Sequence, residues 1–323
     1  TTVSGTGAFI GNGIIRDTNE NVPEGQFPCL LRNTAANFTC TGVTFAKIPQ
    51  IGLHLFGGDR AVIDRCSFTG GPAVYGDTAH FGIRAAGCSQ LVITGNRFYP
   101  DANSGMQVQG ILLSGCSESV ISHNVATRPY EKLIYAYGDR NIAIGNTVVG
   151  NSGSVPGTNI AGSITAVIRF HGSDNRVSNN LTINCAGGAQ MMGGSGAQVT
   201  DNSFLACGQS AISIYQANLS RTRVAGNHCT RGNLSGAPAG DGIRIYATAS
   251  VPGADPSPST NETPSKSISI EGNTVSGFSV ADPIAKIATW QRGVHYGLHS
   301  VVKPLGAGNG RFEEVEAAGG GVV

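Results

Sequence analysis

Two short segments, Ile134-Tyr135-Ala136-Tyr137 and Ile168-Arg169-Phe170-His171, carry two phenols, a guanidinium and an imidazole at alternate positions. In an extended strand alternate side chains share a face. Tyr135 therefore faces the same way as Tyr137, and Arg169 the same way as His171. A guanidinium pairs with a carboxylate through two parallel hydrogen bonds. Such a set suits removal of a proton beside a carboxylate. The cation neutralises the charge that builds as the proton leaves, a base takes the proton, and an acid feeds the leaving oxygen. In this scheme Arg169 neutralises, while His171, Tyr135 and Tyr137 are candidates for base and acid. A phenol ionises near pH 10, so a tyrosine base needs neighbouring cations to favour its anion. Arg128, Tyr130, Glu131 and Lys132 precede the first segment, and an insertion at 150–163 precedes the second; both are expected to crowd the group.

The same kind of segment recurs along the chain, apolar at alternate positions: Leu53-His54-Leu55-Phe56, Ile83-Arg84-Ala85-Ala86, Ile111-Leu112-Leu113-Ser114, Ile212-Ser213-Ile214-Tyr215 and Ile243-Arg244-Ile245-Tyr246. Aligned, their outward positions give two columns. One reads His54, Arg84, Leu112, Tyr135, Arg169, Ser213, Arg244. The other reads Phe56, Ala86, Ser114, Tyr137, His171, Tyr215, Tyr246. Neither contains a carboxylate. Tyr faces stack on sugar rings, which makes His54, Arg84, Lys132, Tyr215, Arg244 and Tyr246 candidate binding residues. Exposed strand positions also suit Tyr and Arg for their own sake. Hydrolysis needs two carboxylates, and the candidates fall between the strands: Asp77, Asp101, Glu131, Asp139, Asp174 and Asp241. Asp77, with His80, precedes the Arg84 strand, and Asp241 precedes the Arg244 strand. Asp is also a common turn residue.

The elements that would position these residues announce themselves as a repeat. The segments FIGNGI, ITGNRF, ISHNVA, AIGNTV, VSNNLT, VTDNSF, VAGNHC and IEGNTV place Asn12, Asn96, Asn124, Asn146, Asn180, Asn202, Asn227 and Asn273 in one frame. Val43 and Cys66 take the Asn slot in two further turns. The shortest interval, 22 residues, recurs, and the longer ones read as insertions into that unit. A repeat of this size means a stacked solenoid. Apolar alternation has period two and no helical stripe is sustained, so the unit is built of short strands. Parallel coils stacked at about 4.8 Å give a rod of about 45 Å for ten coils. Stacked Asn amides can satisfy buried turn backbone and one another. Two positions beyond the Asn, Ile14, Phe45, Phe68, Phe98, Ala126, Val148, Thr182, Phe204, Cys229 and Val275 are expected to stack as core.

These h-x-G-N-x-h turns, preceded by G-I-x-h strands, resemble the pectin-lyase-like superfamily over roughly residues 5–280. The resemblance implies an all-β chain, a single-stranded right-handed parallel β-helix of about ten coils with an Asn ladder. It also implies action on polysaccharides, because the superfamily holds pectate lyases, alginate-active enzymes, polysaccharide hydrolases and phage tailspike depolymerases. No GHG-type hydrolase or DPHD-type epimerase segment is present. The expected reading is a lyase on an acidic polysaccharide. The alternatives are a tailspike-type glycoside hydrolase using loop or intersubunit carboxylates, and a non-catalytic glycan-binding fibre segment. The resemblance further implies extended loops walling a groove, a secreted or virion-surface setting, homotrimers of parallel rods, and calcium in some relatives. No acidic cluster here asks for calcium, and no cofactor is expected.

Composition fits this picture. Glycine numbers 47 of 323 residues, about twice the ordinary share, as tight turns require. The net charge of +1 gives no bulk attraction to nucleic acid or a membrane surface, although Arg outnumbers Lys 16 to 5. No apolar run reaches the ~18 residues a transmembrane helix needs. The eight Cys are expected to be free core thiols, since Cys88 and Cys116 share one slot in successive coils, as do Cys185 and Cys207. No zinc-ligand spacing occurs. Residues 1–280 are expected to form the β-helix, interrupted by a Pro/Ser-rich loop at 250–266. Residues 281–323, with Trp290 and the HYGLHSVV run, are expected to form a cap or tail. The chain starts almost within a coil, without Met, a visible signal peptide or the usual cap, which suggests a mature form or an excised fragment.

Overall fold

The alternating segments fold as strands, and among the described residues no helix occurs. The computed structural model describes residues 2–4, 7–16, 29–70, 81–99, 109–127, 132–150, 166–216, 219–232, 242–247, 268–278, 284–285, 301–302 and 313–314. The strands stack in three parallel ladders. Sheet one runs through Thr2–Val3, Cys29–Asn33, Ile51–Phe56, Phe81–Ala86, Gln109–Ser114, Ile134–Tyr137, Ile168–His171, Ala189–Met192, Ile212–Gln216, Ile243–Ala247 and Ile284–Ala285, in chain order. A second ladder runs from Val62–Asp64 to Ile268–Glu271, and a third from Ser67–Gly70 to Thr274–Ser276. The long strand Thr39–Ile48 pairs with the first member of each. Each strand thus pairs with its counterpart one coil earlier and one coil later, which is a parallel β-helix. Sheet one carries one strand past position 280, since Ile284–Ala285 pairs with Ile243 and Arg244. Farther on, Val301–Val302 and Glu313–Glu314 form an antiparallel pair.

The Asn column is real over seven coils. Asn96, Asn124, Asn146, Asn180, Asn202, Asn227 and Asn273 each stand one coil apart. Each of the first six donates from Nδ2 to the Oδ1 of the next, at 2.8–3.0 Å. The same Oδ1 accepts the backbone N–H of the preceding Asn, and Nδ2 also reaches a backbone carbonyl, as Asn146 does to Ile121 at 2.9 Å. Cys66 sits in the slot as expected, its N–H donating to Asn96 Oδ1.

Asn12 does not belong to this column. Gly13 pairs with Val43 and Ile15 with Phe45, so the frame is shifted by one residue in the first coil. Asn12 takes the position just before the slot, where Gly42, Arg65, Gly95, His123, Gly145, Asn179, Asp201, Gly226 and Gly272 stand elsewhere. All ten have φ between 47° and 66°. This left-handed turn tolerates Asn almost as readily as Gly, so the letters G-N fit two registers. Ile15 therefore fills the core column, and Ile14 is 72% exposed.

The rest of that column holds. Phe45, Phe68, Phe98, Ala126, Val148, Thr182, Phe204, Cys229 and Val275 are in register coil by coil. The first three rings stack face to face at 4.8 and 4.9 Å. Glycines of sheet one lie over this stack: a Cβ on Gly188 would sit 2.4 Å from Phe204 Cγ. Seven of the eight cysteines are buried and all are free thiols. Burial pushes the Cys229 thiol up to about 12, so it remains a neutral, small core residue. A shorter second ladder went unread. Ser119 N–H donates to Asn141 Oδ1, and Asn141 N–H to Asn175 Oδ1. Asn141 and Asn175 are 34 residues apart, as are Asn146 and Asn180, and that equality is a signal the sequence does contain.

Candidate functional site on the outer face of sheet one

Sheet one brings the two opening segments side by side. Tyr135 pairs with Arg169, and Tyr137 with His171. Two cations stand close to the Tyr135 ring, Lys132 Nζ 5.1 Å and Arg169 Cζ 5.2 Å from its centroid. The Tyr135 and Tyr137 hydroxyls share a hydrogen bond, and their rings stand 4.8 Å apart at 47°. His171 stacks on Tyr137 at 4.3 Å and approaches Tyr135 at 5.6 Å. The four side chains are therefore neighbours, as their alternating positions on adjacent strands require.

His171 is only 6% exposed, and both its ring nitrogens are buried without a hydrogen-bond partner. Burial first, then the charges of Arg169 and Lys132, hold its pKa at about 4. At neutral pH the ring is uncharged and lies beneath the tyrosines, where it supports Tyr137. Tyr135 and Tyr137 are only half-buried, so in this arrangement the phenols are more open to a ligand than the imidazole.

Sheet one contains a coil that the aligned segments skip. Ala189–Met192 lies between Ile168–His171 and Ile212–Gln216. It inserts Gln190 into the first outward column and Met192 into the second. Met192 Sδ accepts from Arg169 Nε at 3.1 Å and Nη2 at 2.8 Å. The strand was hidden because AGGAQMMGG lacks the G-I-x-h signature, yet the 22-residue interval from Asn180 to Asn202 demands a full coil there. Arg32 also joins the first column, opposite His54.

The flanking candidates fall into line. Column one reads Arg32, His54, Arg84, Leu112, Tyr135, Arg169, Gln190, Ser213, Arg244, and column two continues through Met192 to Tyr215. Burial, then Arg84 and Arg32, lower the His54 pKa. Phe56 is half-exposed, with Arg32 Cζ 5.4 Å from its ring centre. Tyr246 pairs with Tyr215 through the backbone, and its side chain lies outside the described residues. So do Asp77, His80, Asp101, Arg128, Tyr130, Glu131, Asp241, Trp290, the 250–266 loop and the insertion from 151 onward. Asp139 and Asp174, the described members of the acid set, work in turns. Asp139 Oδ1 accepts the Ser173 N–H at 2.7 Å, and Asp174 pairs with Arg221 at 3.0 Å. Among the described residues no three His, Cys, Asp or Glu side chains converge on a metal position. No described helix is long and apolar enough to cross a membrane.

Residues 3–155 match the family model for the right handed beta helix region. No curated protein matches the chain. The ladders continue past the matched segment without changing their pairing, from Ile168–His171 to Ile243–Ala247. The chain folds as a parallel β-helix, and its residues 3–155 are similar to the right handed beta helix region.

Proposed function

We propose that the chain is a polysaccharide lyase that binds a uronate-containing glycan along sheet one and cleaves it by β-elimination at Tyr135, Tyr137 and Arg169. The observation that carries this reading is the Tyr135 ring within reach of both Lys132 and Arg169, on a face whose described columns contain no carboxylate. Arg169 receives the uronate carboxylate and, helped by the charge of the buried Lys132 beside it, neutralises it as the adjacent C–H bond ionises. They also favour the Tyr135 phenolate, which takes the C5 proton. The electron pair forms the C4–C5 double bond, and the bond from C4 to the glycosidic oxygen breaks. Tyr137 gives its proton to that oxygen. The hydrogen bond between the two hydroxyls then returns a proton from Tyr135 to Tyr137, restoring the starting state. Met192 and His171 steady Arg169 and Tyr137 from behind.

The test is incubation with acidic polysaccharides while following the ultraviolet absorbance of the unsaturated uronate. Absorbance should rise, and Arg169→Ala and Tyr135→Phe should each lower turnover by about a hundredfold or more. New reducing ends without absorbance would mean hydrolysis through paired carboxylates, for which Asp77, Glu131 and Asp241 are the candidates. Binding without either product would mean a glycan-binding fibre segment.

A further inference from the structure

The two outward columns of sheet one repeat with a period of three coils. Ile51–Phe56 presents His54 and Phe56, Phe81–Ala86 presents Arg84, and Gln109–Ser114 presents the neutral pair Leu112 and Ser114. The next three strands present Tyr135 and Tyr137, then Arg169 with the buried His171, then the neutral pair Gln190 and Met192. The next two present Ser213 and Tyr215, then Arg244, with Tyr246 at the second-column position. What recurs every third coil is an arginine in the first column and, one coil before it, an aromatic in the second, with His171 and Tyr246 as further rings on two of the arginine strands. Arg84, Arg169 and Arg244 are thus three coils apart, as are Phe56, Tyr137 and Tyr215. The two cations out of phase lean on aromatic members of the pattern: Arg32 on Phe56 and Lys132 on Tyr135.

Coils stack at about 4.8 Å, so three coils advance about 14 Å along the rod. An extended pyranose chain advances by close to one coil spacing per sugar. Each period therefore matches three sugars, with one ring stacked on an aromatic face and the next sugar's carboxylate held by an arginine. We infer that the ligand is an acidic polysaccharide built of three-sugar repeating units with one carboxylate per unit, lying along sheet one in register with Arg84, Arg169 and Arg244. This rests on the reading of sheet one as a glycan groove and adds to it the spacing of the charges.

The experiment compares the affinity of the full chain for two linear polysaccharides of equal length. One carries a glucuronate at every third sugar, and the other is polyglucuronate. The spaced polymer is expected to bind at least tenfold tighter, although it carries a third of the charge. Equal affinity, or tighter binding of polyglucuronate, overturns the spacing while leaving the groove reading intact. Binding of neither overturns both. A charge-conserving exchange, Arg84→Leu with Leu112→Arg, moves one cation by one coil and should reduce the preference severalfold. A folded exchange variant that keeps the full preference overturns the assignment of Arg84. Should the exchange fail to fold, Arg244→Gln carries the same test. It is expected to weaken the spaced polymer about fivefold, and an unchanged affinity counts against the proposal.

Discussion

His171 is the residue through which pH should act on this fold most directly. Its pKa is about 4 when folded, against an ordinary value of 6.5. Between these values the unfolded chain takes up a proton that the folded chain refuses. Stability is therefore lost as pH falls from about 6.5, and the loss levels off below about 4. The urea midpoint should drop across that window, and His171→Phe should flatten the drop while keeping a ring against Tyr137. His54, also lowered by burial and by Arg84 and Arg32, acts with the same sign, so some slope will remain. An identical slope in His171→Phe would mean that other groups set it. Tyr135, Tyr137, Arg169 and His171 were legible in the sequence because strict alternation and a closing turn fixed their facing. Met192 was not, because its strand carries no apolar signature of its own. The burial of both His171 nitrogens was equally invisible, since it depends on a neighbour one coil away and not on spacing along the chain.

At the scale of the element, the Asn ladder and the glycines over the Phe stack make the sharpest demands. Asn146 Oδ1 accepts from both the backbone N–H and the Nδ2 of Asn124, and its Nδ2 donates onward to Asn180. Asn146→Ala strands several buried groups, each costing roughly 1–3 kcal/mol, so a loss of at least about 2 kcal/mol is expected in urea unfolding. Asn12→Gly should be close to neutral, because Asn12 is exposed and only its left-handed backbone matters there. A large loss at Asn12 would reverse the register assigned to the first coil, and none at Asn146 would contradict the ladder. Gly188→Ala forces a methyl against Phe204 and the Ala211 carbonyl, 2.6 Å away. It should destabilise by about 1–3 kcal/mol, as overpacking does. The ladder was legible because seven coils repeat one frame. The first coil was misread because G-N satisfies the frame in two registers, and only pairing with Thr39–Ile48 selects one.

Across the whole molecule, near-neutrality hides an uneven distribution of charge. The chain carries 21 cations and 20 acids, yet the outward columns of sheet one hold Arg32, Arg84, Arg169 and Arg244 and no acid. Described acids pair elsewhere, as in Glu118 with Arg140 on exposed turns and Glu271 with Arg223 on exposed strand positions, where such pairs add little stability. Salt should therefore weaken binding of an acidic glycan markedly while moving the unfolding midpoint little; equal sensitivity of both would contradict this separation. The repeat made the architecture legible, because stacking multiplies a weak local pattern. Function was legible only in part, because fold does not fix chemistry. The candidate acids Asp77, Glu131 and Asp241 lie in segments that break the repeat, where periodicity carries no information. The chemistry separates cleanly in water enriched in a heavy oxygen isotope, with the fragments weighed after cleavage of an acidic polysaccharide. Elimination predicts one fragment with an unsaturated end, lighter by one water, and no heavy oxygen in either. Heavy oxygen at a new reducing end, with no unsaturated fragment, would contradict the account and assign the cleavage to hydrolysis.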